Sequence, residues 1–366
     1  MKIDHIHFYV EDAPLWRNWF VRQMGFQTVG GGVWQNHTLI EIVRNGAVCF
    51  FLSSPLLPES PVAEFLRSHP PGVADVAFRV QNIETIIAKA INYGAKLLQP
   101  IVQQPQLKWG KISAWGNLTH TLIEGTANWE LGIQNWHSKN HLSFNPPTPI
   151  TFTGIDHVVL NVAAGELESA VNWYEKVLEL QRQQTFAIQT DWSALHSQVL
   201  VHPSKLVQFP INQPASANSQ IQEFLDFNQG PGIQHIALQT SNLIETIKIF
   251  RKAHVKFLEI APKYYIELKE RKNIPLSPTE LHQIEAQQIL VDWQQDINNN
   301  KSEIAPLLLQ IFTQPIFRQP TFFFELIERR LGYIQGQKIP AQGFGEGNFR
   351  ALFQAIETEQ IKRSQS

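Results

Sequence analysis

Short runs of β-branched and aromatic residues bounded by turn residues alternate along this chain with stretches whose apolar positions repeat at helical spacing. The alternation occurs twice in the same order. Ile3-Asp4-His5-Ile6-His7-Phe8-Tyr9-Val10 and Ile155-Asp156-His157-Val158-Val159-Leu160-Asn161-Val162 read as the opening strands of two copies. Each leads into an amphipathic helix. The first carries Trp19-Phe20 and closes at Gly25-Phe26; the second carries Trp173-Tyr174 and closes at Glu179-Leu180. Glu64-Phe65-Leu66 then matches Glu223-Phe224-Leu225, and Gly72-Val73-Ala74-Asp75-Val76-Ala77-Phe78 matches Gly232-Ile233-Gln234-His235-Ile236-Ala237-Leu238. Further helices are predicted around Ile83 to Tyr93 and Leu243 to Ala253, and Thr121-Leu122-Ile123-Glu124 matches Glu325-Leu326-Ile327-Glu328.

Each half therefore reads strand, helix, several strands, and then the same again. The helices are too few to cover both faces of a parallel sheet, so the expected class is α+β. The expected domains are 1–140 and 150–366. They are joined by a stiff, extended linker at Asn140 to Pro149, which carries Asn145-Pro146-Pro147-Thr148-Pro149. A polar segment of about 263–301 breaks the repeat and reads as a surface insertion, with a helix over Glu280 to Trp293 and a turn at Asn298-Asn299-Asn300. Near the end, Gly343-Phe344-Gly345-Glu346-Gly347-Asn348-Phe349 precedes a helical pattern with apolar residues at 349, 352, 353 and 356. The glycines can serve as a hinge, which makes this helix a candidate lid.

A length of 366 residues, 43% of them apolar, supports two domains with sizeable cores. A formal net charge of −2 argues against an electrostatic nucleic-acid or membrane-surface binder. The one cysteine, Cys49, lies in an apolar run and reads as a buried strand residue. It excludes an intramolecular disulfide and a cysteine-based metal site. Charge and imidazole interrupt the N-terminal residues at once, and no apolar run approaches a membrane span, so a soluble cytoplasmic protein is expected.

The repeat allows a sharp comparison of chemistry. At three matched strand positions the second half carries His157, His235 and Glu325, whereas the first carries His5, Asp75 and Thr121. Two imidazoles and a carboxylate suit a non-haem Fe(II) ion with open positions, and Thr121 cannot complete such a set. Glu325 sits in an apolar run, where an ionised carboxylate needs a partner or a metal. Phe323 shares its strand face, and Gln310 and Phe312 share a face with each other, which outlines a pocket for an aromatic molecule with polar ends. Spacing alone leaves open a coincidence among 13 His and 32 acidic residues.

Longer motifs narrow the choice. Ser193-Ala194-Leu195-His196-Ser197, Phe209-Pro210-Ile211-Asn212-Gln213-Pro214, Ser219 to Leu225, Gly230 to Leu238, Leu309-Gln310-Ile311-Phe312-Thr313, Phe323-Phe324-Glu325 and Gly343 to Phe349 resemble 4-hydroxyphenylpyruvate dioxygenases, in that family's order. The first half is similar only in plan. The resemblance implies the vicinal-oxygen-chelate fold: two tandem domains of paired βαβββ modules, each an open, cup-shaped β-barrel, with a C-terminal lid helix. It implies Fe(II) on His157, His235 and Glu325, and conversion of 4-hydroxyphenylpyruvate and O₂ to homogentisate and CO₂, a reaction of tyrosine catabolism. It further implies that Ser197, Asn212, Gln220, Gln234 and Gln310 orient the substrate. Phe312 and Phe349 flank its ring, with Phe323 and Phe344 nearby. Simple alternation places Gln234 on the opposite face from His235, so it is expected to act through its neighbours.

The chain also departs from the family. His196 stands where Asn is usual and is expected to point away from the metal; Glu346 stands where a basic residue is common. A homo-oligomer, dimer or tetramer, is expected, with no nucleic-acid or membrane partner. The rivals are hydroxymandelate synthase, an extradiol dioxygenase, and a metal-free protein of the same superfamily that sequesters a small molecule.

Overall fold

This computed structural model describes residues 1–125, 150–271, 273–293 and 304–364. The chain opens with β1 (Lys2–Tyr9), α1 (Ala13–Met24), β2 (Gln27–Trp34), β3 (Thr38–Asn45) and β4 (Val48–Pro55). Helix α2 (Pro61–Ser68) leads to a second module of β5 (Gly72–Val80), α3 (Ile83–Asn92), β6 (Leu97–Gln104), β7 (Leu107–Ser113) and β8 (Thr119–Gly125). The strands form one sheet in the order β2-β3-β4-β1-β5-β8-β7-β6. The first strand of each module lies at its centre. There β1 runs parallel to β4, β5 runs parallel to β8, and β1 and β5 meet antiparallel.

The second half repeats this plan. It runs β9 (Phe152–Asn161), α4 (Leu167–Leu178), β10 (Gln181–Gln189), β11 (Ala194–Val201), β12 (Gln208–Pro214) and α5 (Gln220–Asn228). Then come β13 (Gly232–Thr240), α6 (Leu243–Lys252), α7 (Pro262–Glu270), α8 (Pro278–Gln287), β14 (Leu290–Trp293), β15 (Leu307–Phe312) and β16 (Phe323–Arg329). The sheet order is β10-β11-β12-β9-β13-β16-β15-β14. A hairpin, β17 (Leu331–Ile334) and β18 (Gln337–Pro340), precedes the terminal helix α9 (Phe349–Ser364). Phe186 on edge strand β10 and Gln310 on β15, near the other edge, line one cavity. The second sheet must therefore curl into an open half-barrel.

Local chemistry sets the element ends. Helices α3 and α6 begin at Asn82 and Asn242, whose side chains accept from Thr85 N and Glu245 N. Each such cap is worth about 1 kcal/mol. Helices α1 and α4 stop where Gly25 and Glu179 turn left-handed, at φ 70° and 57°. The 349, 352, 353, 356 pattern forms α9, as its spacing predicts.

One apolar core runs through both halves. Its centre is aromatic: Phe8 packs against Phe322, and Phe50 stacks on Phe324 at 5.7 Å between ring centroids. Strand alternation then explains β16: Phe324 faces this shared core, while Phe323 and Glu325 face the cup. Cys49 is buried in β4.

Two expectations change. Glu280 to Trp293 is not one helix, because α8 ends at Gln287 and Leu290–Trp293 form β14, paired with β15. Among the described residues, the inserted elements are α7 and α8; β14 occupies the edge position that β6 holds in the first sheet. The predicted linker at Asn140 to Pro149 and the turn at Asn298-Asn299-Asn300 lie outside the described residues. No helix among the described residues is long and apolar enough to cross a membrane.

Candidate metal centre and its pocket

Strands β9, β13 and β16 are adjacent at the centre of the second sheet. His157 pairs with Ala237, and Ala237 pairs with Glu325, so both ligand candidates lie in one row across the strands. His235 stands two residues before Ala237, on the same face. One ligand atom from each of His157, His235 and Glu325 lies within 4.8 Å of the others, the one such group among the described residues. Glu325 Oε2 is 3.1 Å from His157 Nε2 and 3.8 Å from His235 Nε2.

The surroundings prepare these atoms. Asp156 is the extra residue of a β-bulge, since pairing with β13 passes from His157 straight to Ile155. Its Oδ1 lies 2.9 Å from His157 Nδ1, which turns Nε2 toward Glu325. Arg329 donates from Nε and Nη2 to the Asp156 carboxylate at 2.6 and 2.8 Å. Gln310 Nε2 donates to Glu325 Oε1 at 2.9 Å, and the His235 ring stacks on Phe323 at 4.8 Å.

Electrostatics favour a cation here. Burial opposes a charge on His157, yet Glu325 and Asp156 raise it to about 9. Burial and the neighbouring His157 push His235 well below the ordinary imidazole range. Burial works against the Asp156 carboxylate too, but Arg329 and His157 hold it far below the usual range. Two imidazole nitrogens and a buried carboxylate thus converge on a point that calls for positive charge. A divalent metal ion supplies it without a proton, and the donor set fits one.

All twelve residues singled out from the sequence line one cavity: the three ligands, then Ser197, Asn212, Gln220, Gln234 and Gln310, then Phe312, Phe323, Phe344 and Phe349. Ser197 on β11 sits directly opposite Asn212 on β12. Gln220 opens α5, capped by Ser219. Phe344 lies 5.2 Å from the His157 ring, and Phe349 packs edge-on against Phe186 at 4.9 Å.

Gln234 departs from simple alternation. The register between β13 and β9 jumps from Ile233 to His235, so Gln234 is a bulge residue and lines the cavity beside His235. Its Oε1 lies 3.4 Å from His235 Nδ1. His196 is exposed on the other face of β11, away from the cavity. Glu346 accepts from Gln184 Nε2 at 2.8 Å.

Some contributors escape the sequence reading. The Asp–His doublet recurs as Asp4-His5 and Asp156-His157, and that repetition could have flagged Asp156. Arg329 gives no such signal. Neither do Asn348, which donates from Nδ2 to Gln310 Oε1 at 2.9 Å, and Tyr264, whose hydroxyl donates to Asn348 Oδ1 at 2.9 Å. Tyr264 belongs to the inserted helix α7, so the insertion braces the segment above the pocket.

Comparison with known proteins gives consistent results. Residues 154–272 match the Glyoxalase/Bleomycin resistance protein/Dioxygenase superfamily, and residues 2–128 match the N-terminal domain of hydroxyphenylpyruvate dioxygenase. A 4-hydroxyphenylpyruvate dioxygenase from Yarrowia lipolytica is 33% identical over 98% of this chain and 92% of its own. Proteins of that name from Caenorhabditis elegans and Danio rerio are also 33% identical over 99% of this chain, and over 93% and 91% of theirs. A mutant 4-hydroxymandelate synthase from Streptomyces coelicolor shares the fold, with a TM-score of 0.81 at 23% identity over 98% of both chains.

Proposed function

The chain belongs to the 4-hydroxyphenylpyruvate dioxygenase family; from that premise we propose that it converts 4-hydroxyphenylpyruvate and O₂ to homogentisate and CO₂, using Fe(II) held by His157, His235 and Glu325. The observation that carries this reading is the buried His–His–Glu group at the floor of an aromatic-walled cavity. When bound, Fe(II) supplies open coordination positions and the redox chemistry that O₂ requires.

The chain's own residues do the rest. Asp156 keeps His157 in the tautomer that presents Nε2, and Gln310 fixes one Glu325 oxygen so that the other faces the histidines. Ser197, Asn212, Gln220 and Gln234 form the polar wall that orients the substrate. Phe312 and Phe349 hold its ring, and ring placement decides which carbon is hydroxylated. Leu352, Phe353 and Ile356 of α9 complete the apolar cover and keep water from the reaction.

Aerobic incubation with Fe(II) and 4-hydroxyphenylpyruvate, followed by mass and NMR identification of the product, tests the proposal. Homogentisate is the expected product, with about one iron per chain. Hydroxymandelate would replace this reading with that of a benzylic hydroxylase. Absence of both turnover and iron binding would leave a small-molecule-binding protein. Glu325→Ala should abolish turnover, whereas His5→Ala should leave the iron content intact. Full activity in Glu325→Ala would overturn the ligand assignment.

A further inference from the structure

The first half-barrel encloses a cavity of about 610 Å³ to which no role is attached. It is not packed with aliphatic side chains. Its floor carries His5 and Thr121, with Asp75 buried against Thr119 and Thr121. His5, Asp75 and Thr121 hold the register positions of His157, His235 and Glu325. Lys111 pairs with Thr121 as Phe312 pairs with Glu325, so an ammonium stands where the second cup has a ring.

The polar groups on this floor are arranged asymmetrically. Asp75 is fully buried and satisfied: it accepts from Thr119 Oγ1, from Thr121 N and from Thr121 Oγ1 at 2.6, 3.2 and 3.1 Å. Lys111 Nζ lies 3.3 Å from Asp75 Oδ2, its one polar partner among the described residues. An ammonium has three donors, so the other two remain for an occupant of the cavity. Burial works against its charge, but Asp75 raises it above the ordinary lysine range, so it stays protonated. Aromatic side chains line the space around it: Trp34, Trp109, Tyr9 and Phe51, with Trp34 and Trp109 set at 68° to each other. The cavity thus joins an ammonium, paired on one side with Asp75, to aromatic walls, with Glu64 and the imidazoles of His5, His7 and His69 also on its lining.

We propose that the cup of the first domain is a second binding site, for a small monocyclic aromatic carboxylate, with the carboxylate on Lys111 and the ring between Trp34 and Phe51. The comparison of the two cups explains the choice. In the second cup the Glu325 carboxylate, with two imidazoles, would hold a metal cation at the floor. In the first, Asp75 holds an ammonium. An ammonium attracts an anion but offers no open coordination position, so this site binds without oxidising. One ammonium matches one carboxylate, and the ring-lined walls select a planar apolar body.

Phenylacetate, which has no keto group, is a suitable probe. Its binding to the iron-loaded chain is measured by calorimetry on the wild type, Lys111→Met, Trp34→Ala and, as a change in the other cup, Phe312→Ala. Turnover of 4-hydroxyphenylpyruvate is followed for the two first-cup variants. A binding component should weaken about tenfold or more in Lys111→Met, since charge-assisted contacts carry it. That component should also weaken in Trp34→Ala and persist in Phe312→Ala, with turnover unchanged in Lys111→Met and Trp34→Ala. Neutral phenylacetamide should bind more weakly than phenylacetate. Lys111→Met strands a buried Asp75; if it fails to fold, Trp34→Ala decides. Isotherms identical in wild type and both first-cup variants, or binding lost only in Phe312→Ala, would overturn the proposal.

Discussion

At the scale of single residues, the two halves differ less in their scaffold than in their donors. The first half also has an Asp–His bulge: Asp4 Oδ1 lies 2.9 Å from His5 Nδ1, and Arg79 Nε donates to Asp4 Oδ2 at 2.8 Å. The Asp–His–Arg arrangement is therefore part of how these central strands are built. Among the described residues, only in the second half does it adjoin a His–His–Glu group that could hold a metal. Asp156→Asn keeps the volume but removes the charge that fixes the His157 tautomer. Loss of such a partner typically weakens metal binding about 10- to 100-fold. Competition against a chelator should show this loss for Asp156→Asn and no loss for Asp4→Asn. Equal affinity in wild type and Asp156→Asn would reduce Asp156 to a structural residue. Arg329 extends the chain of contacts, since its Nη1 donates to Ala341 O and Gly343 O, both at 3.0 Å. His157 is thereby tied, through Asp156 and Arg329, to the base of the terminal segment.

At the scale of elements, α9 and the turn before it close the cavity. Gly345 adopts φ +78° against Gln310, where a Cβ would lie 1.9 Å from Oε1. Gly345→Ala should therefore push the segment off Gln310 and lower kcat/KM by about tenfold or more, at the cost of one lost buried hydrogen bond. Phe349→Ala removes an aromatic wall worth roughly 0.5–1.5 kcal/mol beyond its area. Its expected signature is uncoupling: O₂ consumption exceeds homogentisate formation. Parallel measurement of both should give a one-to-one ratio in the wild type and a higher one in Phe349→Ala and in a chain ending at Ala341. Wild-type rates and ratios in both would make the segment purely structural. The spacing 349, 352, 353, 356 revealed this helix face directly, because helical periodicity is a property of the sequence itself. The position of Gln234 was not visible, because a bulge is set by the partner strand and reverses the alternation rule locally. Strand β14 is hidden in the sequence for a related reason: four residues so soon after a helix carry too little periodicity to declare a strand. The repeat's internal comparison with His5, Asp75 and Thr121 singles out His157, His235 and Glu325 as candidates, but spacing alone leaves coincidence open, and the choice rests on the longer motifs that resemble the family.

At the scale of the whole molecule, the two halves are joined by buried polar contacts as well as by phenylalanines. His120 on β8 meets Tyr174 on α4, with Nδ1 2.9 Å from Val76 O and Nε2 3.1 Å from the Tyr174 hydroxyl. Val76 O can only accept, so Nδ1 carries the proton. Nε2 then accepts from the Tyr174 hydroxyl, and the neutral imidazole is fully satisfied. A second proton on Nε2 would make the Tyr174 hydroxyl turn and accept, so that its own hydrogen loses its acceptor while the imidazolium charge is buried, both residues being fully buried. Burial accordingly lowers His120 to about 4, against the opposing pull of Asp75. In the unfolded chain its value is near 6.5. Between these values the unfolded chain binds a proton that the folded chain refuses, so stability falls as pH falls from about 6.5 to 4. The slope is at most about 1.4 kcal/mol per pH unit, and the total is on the order of 3 kcal/mol. His120→Phe fills the space without a titratable group. Thermal unfolding across this range should show the wild-type Tm dropping more steeply with acid than that of His120→Phe. The difference should vanish above about pH 7, where both forms of the wild-type histidine are neutral. Parallel Tm curves for the two proteins from pH 4 to 7 would show that His120 does not make the junction between the halves acid-sensitive.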